Sequence, residues 1–253
     1  MIYGLYLSAT GVQANIYRQD VIANNIANSE TVGFKRDLAL LRQRPTEAKQ
    51  RGLMGDMSNS NLENVGGGLY AMPTTIDNTP GDPQPTGNDL DVAIQGKGYF
   101  AVTSNGKMHL TRNGQFLVDR SGKLSLANDV GQNVVDEKQS PIVLNPGLPV
   151  TIAPDGTITQ AGKLVGKLGL FDVDDPKKLQ KEGGTLLAMS NDATLSTATP
   201  TLRSDFVERS NVDSATELTQ LMDAQRQLEA NANMIHTQDE TLDKLVNDVG
   251  KVG

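Results

Sequence analysis

The amino-acid sequence predicts an α+β protein in which helices at the two ends of the chain flank an antiparallel β barrel or sandwich. Apolar residues recur with heptad spacing near both termini, whereas the middle of the chain is rich in glycine and in short apolar–polar alternations bounded by turn residues. The chain has 253 residues, of which 37% are hydrophobic and 4% aromatic. That composition suffices for one or two ordered domains with few large core side chains.

The first predicted element is an N-terminal helix from about residue 3 to residue 28. Steps of alternately four and three residues give an apolar series broken once by a glutamine: Leu5, Ala9, Val12, Ile16, Gln19, Ala23 and Ile26. A stripe this narrow covers little of a globular core but suits a partner helix. The helix is expected to end near Asn28 and the chain to turn at Gly33, which gives an N-terminal segment over residues 1–36.

The last predicted element is a C-terminal helix, assigned to residues 207–253, which keeps a period near 3.5 residues for more than four heptads. Its series is Leu218, Leu221, Gln225, Leu228, Ala232, Ile235, Asp239, Leu242, Val246 and Val249. Asn211 or Asp213 could cap this helix, and Glu217 could lie in its first turn. The simplest arrangement pairs the two terminal helices as a coiled-coil-like stalk, the inner helical domain.

The segment over residues 37–75 is predicted to be a flexible linker. It is polar, contains Pro45 and carries three consecutive glycines at 66–68. Such a segment has too little apolar surface to offset the entropy of ordering. We therefore expect it to become ordered only against neighbouring subunits.

The region over residues 76–206 is predicted to be a β-rich outer domain with three hairpins. The turns lie at Asn105-Gly106, at Arg120-Ser121-Gly122 and at Pro154-Asp155-Gly156. Asn-Gly is the dipeptide that a type I′ turn requires, and the flanking residues alternate between apolar and polar. Short strands with frequent turns are typical of a small antiparallel barrel or sandwich.

Composition argues against two classes of partner. The formal net charge of −7 and the isoelectric point near 4.9 are unfavourable for a nucleic-acid-binding surface, which needs clustered Lys and Arg. Mean hydropathy is −0.36, and no run approaches the roughly 18 apolar residues of a spanning helix, so direct membrane insertion is not expected. The chain has no cysteine, and its first residues lack the pattern of a cleaved signal peptide.

Candidate catalytic, cofactor-binding and metal-binding residues are sparse, and none is predicted. The two histidines, His109 and His236, lack the spacing of metal ligands or of a triad. Gly96-Lys97-Gly98 lacks the remainder of a phosphate-binding loop and is read as a strand bend. If the protein were an enzyme, its polar centre would be His109, Asp91 and Arg112.

Six segments in order along the chain resemble the flagellar rod and hook family. They are DVIANNIAN at 20–28, TVGFK at 31–35, TGNDLDVAIQGKGYF at 86–100, LTRNGQF at 110–116, ERSNVD at 208–213 and LMDAQRQLEAN at 221–231. Because they lie in the expected order from one helix to the other, the resemblance extends over essentially the whole chain. Tyr99 stands where a second Phe is common in the family.

The resemblance implies a structural subunit of the flagellar basal-body rod. The terminal helices would form an inner tube with many copies of the chain, and the β domain would form the outer layer. The implied partners are further copies, other rod subunits, hook subunits, the surrounding ring proteins and the flagellar export apparatus. The implied location is the basal body across the periplasm, reached by type III export without a cleaved signal peptide, and the implied work is torque transmission.

The predicted assembly interface combines residues of both helical series with residues of the N-terminal motif. Its members are Leu5, Val12, Ile16, Ala23, Asn24, Asn25, Ile26, Asn28, Gly33, Phe34, Leu221, Leu228, Ile235 and Leu242. The three asparagines could bridge backbones of adjacent subunits or could fray the helix end. The polar members Gln19, Gln225 and Asp239 of the two series could fix helix register or could be tolerated exposures.

Three alternatives remain beside a distal-rod subunit. The long segment between Phe34 and Leu90 favours a distal-rod type over a proximal-rod type. A hook-type member would carry an extra outer domain that this chain lacks. A soluble coiled-coil adaptor would also explain the terminal helices, and it would form a discrete oligomer.

Overall fold

The computed structural model describes residues 2–45, 67–127, 131–190 and 192–249. The chain divides into two compact units. The helical unit comprises Met1–Ile26, Asp37–Thr75 and Ser214–Gly253, and the β-rich unit comprises Ala27–Arg36 and Ile76–Asp213. Both units are therefore assembled from segments that are distant in sequence.

Two long helices lie at the two ends of the described chain: α1 over Ile2–Ala27 and α2 over Ser214–Val249. A short 3₁₀ helix occupies Pro176–Lys178. The strands are β1 Asp37–Gln43, β2 Leu69–Ile76, β3 Pro83–Pro85, β4 Val92–Gln95, β5 Tyr99–Ser104, β6 Lys107–Thr111, β7 Phe116–Val118, β8 Leu124–Leu126, β9 Asn133–Val134, β10 Val150–Ile152, β11 Thr157–Gln160, β12 Lys163–Lys167, β13 Leu170–Val173, β14 Leu179–Lys181, β15 Leu187–Met189, β16 Leu195–Thr197, β17 Thr201–Ser204 and β18 Phe206–Glu208.

The helical unit contains both helices and a two-stranded sheet of β1 and β2. Because α2 begins at Ser214, Asp213 rather than Asn211 directly precedes it, and Glu217 lies in its first turn as expected. This sheet was not predicted, because residues 37–75 were expected to form a flexible linker. Strands β1 and β2 occupy the two ends of that segment. The middle of that linker, residues 46–66, lies outside the described residues, as do 250–253 at the predicted end of α2.

The three predicted hairpins are confirmed in the β-rich unit. β5 pairs antiparallel with β6, with Ser104 opposite Lys107, and both turn residues have positive φ, 51° at Asn105 and 76° at Gly106. β7 pairs with β8, and β10 pairs with β11. These turns were predictable because the left-handed backbone that they need favours asparagine and glycine.

The barrel alternative is wrong for the described strands. The largest sheet has nine strands, and its main path has the open order β14-β15-β6-β5-β9-β8-β7, with β13 and β16 attached at β5. The remaining sheets of the unit are β10-β11-β12, β17-β4 and β18-β3. Two hydrophobic clusters form the core, and in the larger one the rings of Phe100 and Phe116 meet edge to face at 5.1 Å.

Candidate assembly interface

Two glycines of α1 lie directly against α2. A Cβ built on Gly4 would come within 2.7 Å of the Gln238 side-chain nitrogen, and one on Gly11 within 2.8 Å of the Asn231 side-chain nitrogen. The two glycines are seven residues apart, and so are their partners. The numbering rises along α1 while it falls along α2, so the helices lie antiparallel.

Two hydrogen bonds continue these contacts toward the C-terminal end of α1. Arg18 Nη1 donates to Gln227 Oε1 at 3.2 Å, and Asn25 Nδ2 donates to Glu217 Oε2 at 3.3 Å. The α1 residues in contact therefore recur every seven positions, at 4, 11, 18 and 25. Gly4 and Gly11 allow a close approach of the two helices, whereas Arg18 and Asn25 contribute polar contacts.

The predicted apolar series of α1 is displaced by one residue from these contacts. Its neighbours Ser8, Asn15 and Ile22 are buried, whereas Ile16 is 45% exposed. Ala9 and Ala23 of the series are also exposed, and Leu5, Val12, Gln19 and Ile26 are half-buried. The seven-residue spacing recurs in these contacts, but their residues lie one position away from members of the predicted apolar series.

The series of α2 divides between two sides of the helix. Leu221, Leu228, Ile235 and Leu242 are half-buried and lie three or four residues from the α1-contacting positions, on the same face. Its other members include Ala232, which is half-buried, and Leu218, Gln225, Asp239 and Val246, which are exposed. The side chain of Val249 lies outside the described residues.

Strands β1 and β2 provide a second set of contacts to α1. Tyr17 donates its hydroxyl hydrogen to the carbonyl of Met72 at 2.6 Å, and Arg44 Nη1 donates to the Tyr6 hydroxyl at 2.7 Å. Burial, followed by the negative charge of Asp37, raises the pKa of Tyr17 above its ordinary 10.0. α1 therefore meets α2 and the sheet, while part of its apolar stripe, including Ile16, stays exposed.

Asn25 is the most strongly anchored asparagine of the N-terminal motif. It is 1% exposed, its Oδ1 accepts from the backbone N–H of Asp37 at 2.9 Å, and its Nδ2 donates to the carbonyl of the same residue at 2.9 Å. Asn24 is exposed, and Asn28 accepts from the Thr31 backbone N–H at 3.1 Å. The structure thus places the Asn25 amide inside the helical unit and leaves Asn24 at the surface.

A buried ionic cluster, the Glu208 cluster, lies in the β-rich unit. The Glu208 carboxylate pairs with the Lys35 ammonium and with Arg112 Nη1, the latter at 3.1 Å, and it accepts from the Gly81 backbone N–H at 3.0 Å. The side chains of Lys35 and Glu208 are each 3% exposed. Burial lowers the pKa of Lys35 from its ordinary 10.5, and the negative charge of Glu208 opposes that shift.

Gly33 and Phe34 of the N-terminal motif are also buried in the β-rich unit. The Gly33 N–H donates to the carbonyl of Glu208 at 2.8 Å, and the residue has a φ of 69°. A Cβ at Gly33 would overlap the backbone nitrogen of Asn113. Phe34 is 1% exposed and lies under the ammonium of Lys181, which is 3.5 Å from the ring centre.

Three of the resembling segments therefore meet at one place. TVGFK contributes Gly33 and Lys35, LTRNGQF contributes Arg112, and ERSNVD contributes Glu208. No local pattern in the sequence places these residues together. The available signal was the presence of a charged residue in each of the three segments, because a buried charge requires a partner.

The residues of the enzyme alternative have separate partners. His109 Nε2 is 3.0 Å from Glu182 Oε2, and Asp91 accepts from Asn88 Nδ2 at 3.0 Å, while Arg112 belongs to the Glu208 cluster. Within the described parts of the chain, His, Asp and Glu form no group of three that could hold a metal ion. Neither α1 nor α2, as far as they are described, has the length of apolar sequence that a membrane crossing needs.

Paired terminal helices that leave part of an apolar stripe exposed are typical of a structural protein that assembles with further chains. Three family models match this chain. "Flagella basal body rod protein" matches residues 5–35, "Flagellar hook protein FlgE/F/G D1 domain" matches 93–160, and "Flagellar basal body rod FlgEFG protein C-terminal" matches 203–248.

Similar proteins cover nearly the full length of the chain. The flagellar basal-body rod protein FlgF of Caulobacter vibrioides is 32% identical over 238 residues, which is 92% of each chain. The flagellar basal-body rod protein FlgG of Bacillus subtilis is 32% identical over 265 residues, which is 98% of this chain and 99% of that one. The chain belongs to the flagellar basal-body rod protein family, a family of structural proteins of the flagellum.

Proposed function

We propose that this protein assembles in many copies into the helical tube of the rod and transmits torque from the motor to the hook. The observation that carries the proposal is the partly exposed apolar stripe of α1, because neither α2 nor the β1–β2 sheet covers it fully. The chain is similar to proteins named as flagellar basal-body rod proteins over nearly its full length. In such an assembly, further subunits would cover the exposed part of the stripe.

In this proposal, α1 and α2 form an antiparallel coiled-coil stalk that builds the inner wall of the tube. The heptad contacts from Gly4 to Asn25 hold the two helices of one subunit together. The stripe from Leu5 to Ile26 then packs against helices of neighbouring subunits. Full burial of one Val, Leu or Ile side chain contributes about 1.5–3 kcal/mol, and less where the side chain is already half-buried. Resistance to twist then comes from the sum over many such contacts.

The predicted assembly interface is accordingly proposed to act in two ways. Its surface members, such as Ile16 and Asn24, would contact neighbouring subunits directly. Its buried members Asn25, Gly33 and Phe34 would act indirectly, since they hold the segments on which the contacting residues lie. The half-buried leucines and isoleucine of α2 would serve the stalk.

We further propose a position in the distal rod, supported by the long segment between Phe34 and Leu90. The partners would be further copies, other rod subunits, hook subunits, the surrounding ring proteins and the flagellar export apparatus. The protein would cross the periplasm within the basal body after export without a cleaved signal peptide. An FlgF and an FlgG are equally similar to this chain at 32% identity, so position within the rod is decided by experiment.

The test is to locate the protein in purified hook-basal bodies. A small peptide tag can be inserted between Gly183 and Gly184, both exposed and without close neighbours around a built Cβ, and detected by gold labelling in the electron microscope. We expect label on the shaft beneath the hook, with its height separating the distal from the proximal rod. Intact complexes without label, together with a discrete soluble oligomer, would instead support the coiled-coil adaptor.

A further inference from the structure

The chain passes between the helical unit and the β-rich unit four times. The crossings lie at residues 26/27, 36/37, 75/76 and 213/214. Within the β-rich unit, the side chain of Asn211 connects chain segments next to three of these crossings. Neither the predicted assembly interface nor the Glu208 cluster includes Asn211.

The Asn211 amide contacts the chain beside three crossings. Its Oδ1 accepts from the Arg36 backbone N–H at 2.7 Å, and its Nδ2 lies 3.0 Å from the carbonyl of Asp77. The same nitrogen lies 3.1 Å from the Thr79 carbonyl and 3.0 Å from its hydroxyl. Asn211 itself lies two residues before the end of the unit at Asp213, so one amide links the second, third and fourth crossings.

Backbone and cluster contacts complete the junction. The Asp77 N–H donates to the carbonyl of Arg36 at 2.8 Å, which joins the second and third crossings directly. The Gly33 N–H donates to the carbonyl of Glu208 at 2.8 Å, which joins the segment after the first crossing to the segment before the fourth. Lys35 Nζ, part of the Glu208 cluster, donates to the carbonyl of Thr79 at 2.8 Å.

We propose that Asn211 is a positioning residue that, together with the Gly33–Glu208 hydrogen bond, holds the four connections of the β-rich unit at one junction. This inference rests on the proposed torque-transmitting function. A single extended connection bends readily at its backbone dihedral angles, whereas four connections tied at one point must move together. A twist applied to one connection is then shared by all four.

Hydrogen exchange on the purified full-length chain tests the junction itself. In Asn211→Ala, we expect the Asp77 and Gly81 amides to exchange about tenfold faster, as loss of a supporting hydrogen bond implies. Amides of the β5–β6 hairpin should keep their protection. The matched control is Asn88→Ala, because Asn88 bonds Asp91 within its own loop. Unchanged exchange at Asp77 and Gly81 would overturn the inference.

A mechanical measurement distinguishes a positioning role of Asn211 from an effect on folding stability alone. Cells carrying Asn211→Ala should assemble hook-basal bodies in normal number, but tethered cells should show larger angular fluctuation, which means a lower torsional stiffness. Wild-type stiffness in cells with faster exchange would overturn the mechanical role. If the wild-type protein were absent from basal bodies, the proposed function would be refuted, whatever the exchange rates of the variant.

A second variant covers the case in which Asn211→Ala does not fold. Asn211→Asp keeps the shape and the acceptor for the Arg36 N–H but loses the donations to Asp77 and Thr79. We expect the exchange of Asp77 and Gly81 to accelerate here too. Wild-type protection in this variant would contradict the inference.

Discussion

The Asn25 amide donates to the Glu217 carboxylate at 3.3 Å across 192 residues of sequence. The same amide bonds both the N–H and the C=O of Asp37. One buried side chain thus joins the end of α1, the start of β1 and the first turn of α2. The three separate segments of the helical unit meet at this residue.

Replacing Asn25 by alanine should destabilise the helical unit by about 1–3 kcal/mol, because the Asp37 backbone groups and the Glu217 carboxylate lose buried partners. Urea unfolding followed by far-ultraviolet circular dichroism measures the change. Gln13→Ala, at an exposed position of the same helix, is the control and should change the unfolding free energy by less than about 0.5 kcal/mol. Equal effects of the two substitutions would refute this role of Asn25.

Charged residues on the stripe of α1 should block assembly without unfolding the subunit. We expect Ile16→Asp, alone or with Ile26→Asp, to leave the β-rich unit folded while incorporation into basal bodies and swimming are lost. The measurements are the protein content of purified hook-basal bodies and motility in soft agar. Gln13→Asp adds the same charge outside the stripe and should be tolerated better. Normal swimming of the Ile16 variants would remove the main support for the proposed interface.

Charged residues in the apolar series of α2 should also block assembly, because they should disrupt the pairing of α2 with α1. Leu228→Asp combined with Ile235→Asp places two carboxylates on the half-buried face of α2, so both helix pairing and incorporation should fail. The β-rich unit should stay folded, as judged by protection of its amides in hydrogen exchange. Incorporation at the wild-type level would contradict the antiparallel stalk.

Gly33→Ala should destabilise the β-rich unit by more than about 2 kcal/mol. The substitution adds left-handed backbone strain, which costs on the order of 1 kcal/mol, and a clash with the backbone of Asn113. Gly87→Ala separates the two effects, because Gly87 has a similar φ of 72° but open space around a built Cβ. Thermal unfolding should therefore show a clearly larger loss for Gly33→Ala, and equal losses would exclude the clash.

Lys35 makes the free energy of unfolding depend on pH in the alkaline range. The charged groups around it are Glu208, Arg112 and Asp77, and burial is the largest cause of its lowered pKa. Between that lowered pKa and 10.5, the unfolded chain binds more protons at this site than the folded chain does. The unfolding free energy contributed by Lys35 therefore rises with pH in that window.

Urea unfolding at about pH 8 and just below pH 10 measures this effect. Lys35→Met should flatten the rise seen in the wild type. Above about pH 10 the trend reverses, because burial raises the pKa of Tyr17 and Tyr99, so the folded chain retains those protons longer. An identical pH dependence of wild type and Lys35→Met would contradict the assignment to Lys35.

Patterns among neighbouring residues were sufficient to predict several elements of the structure. The Asn105-Gly106 turn and the flanking alternation defined the β5–β6 hairpin, since both turn residues need a left-handed backbone that few other residues adopt. The extent of α1 followed from its period, and Glu217 was expected in the first turn of α2 from its distance to the candidate caps. Such features depend on residues within a few positions of one another.

Other features depend on contacts between distant segments. Strands β1 and β2 lie at the two ends of a segment that is polar as a whole, and contacts of Met72 and Arg44 with Tyr17 and Tyr6 of the distant α1 hold them in place. Lys35 and Glu208 are 173 residues apart, so nothing near either residue identifies its partner. The Asn211 junction was missed for the same reason, because Asn211 resembled a helix cap in its local sequence.

The sequence by itself determined that both termini are helical, that apolar residues recur in them with heptad spacing and that the middle of the chain is built from antiparallel hairpins. Only the tertiary structure decided which face of α1 meets α2. The period of a helix is a local property of its residues, whereas the contacting face depends on how closely the partner approaches. Here Gly4 and Gly11 permit that approach and Asn25 supplies buried hydrogen bonds, so the contact lies one residue away from the apolar series.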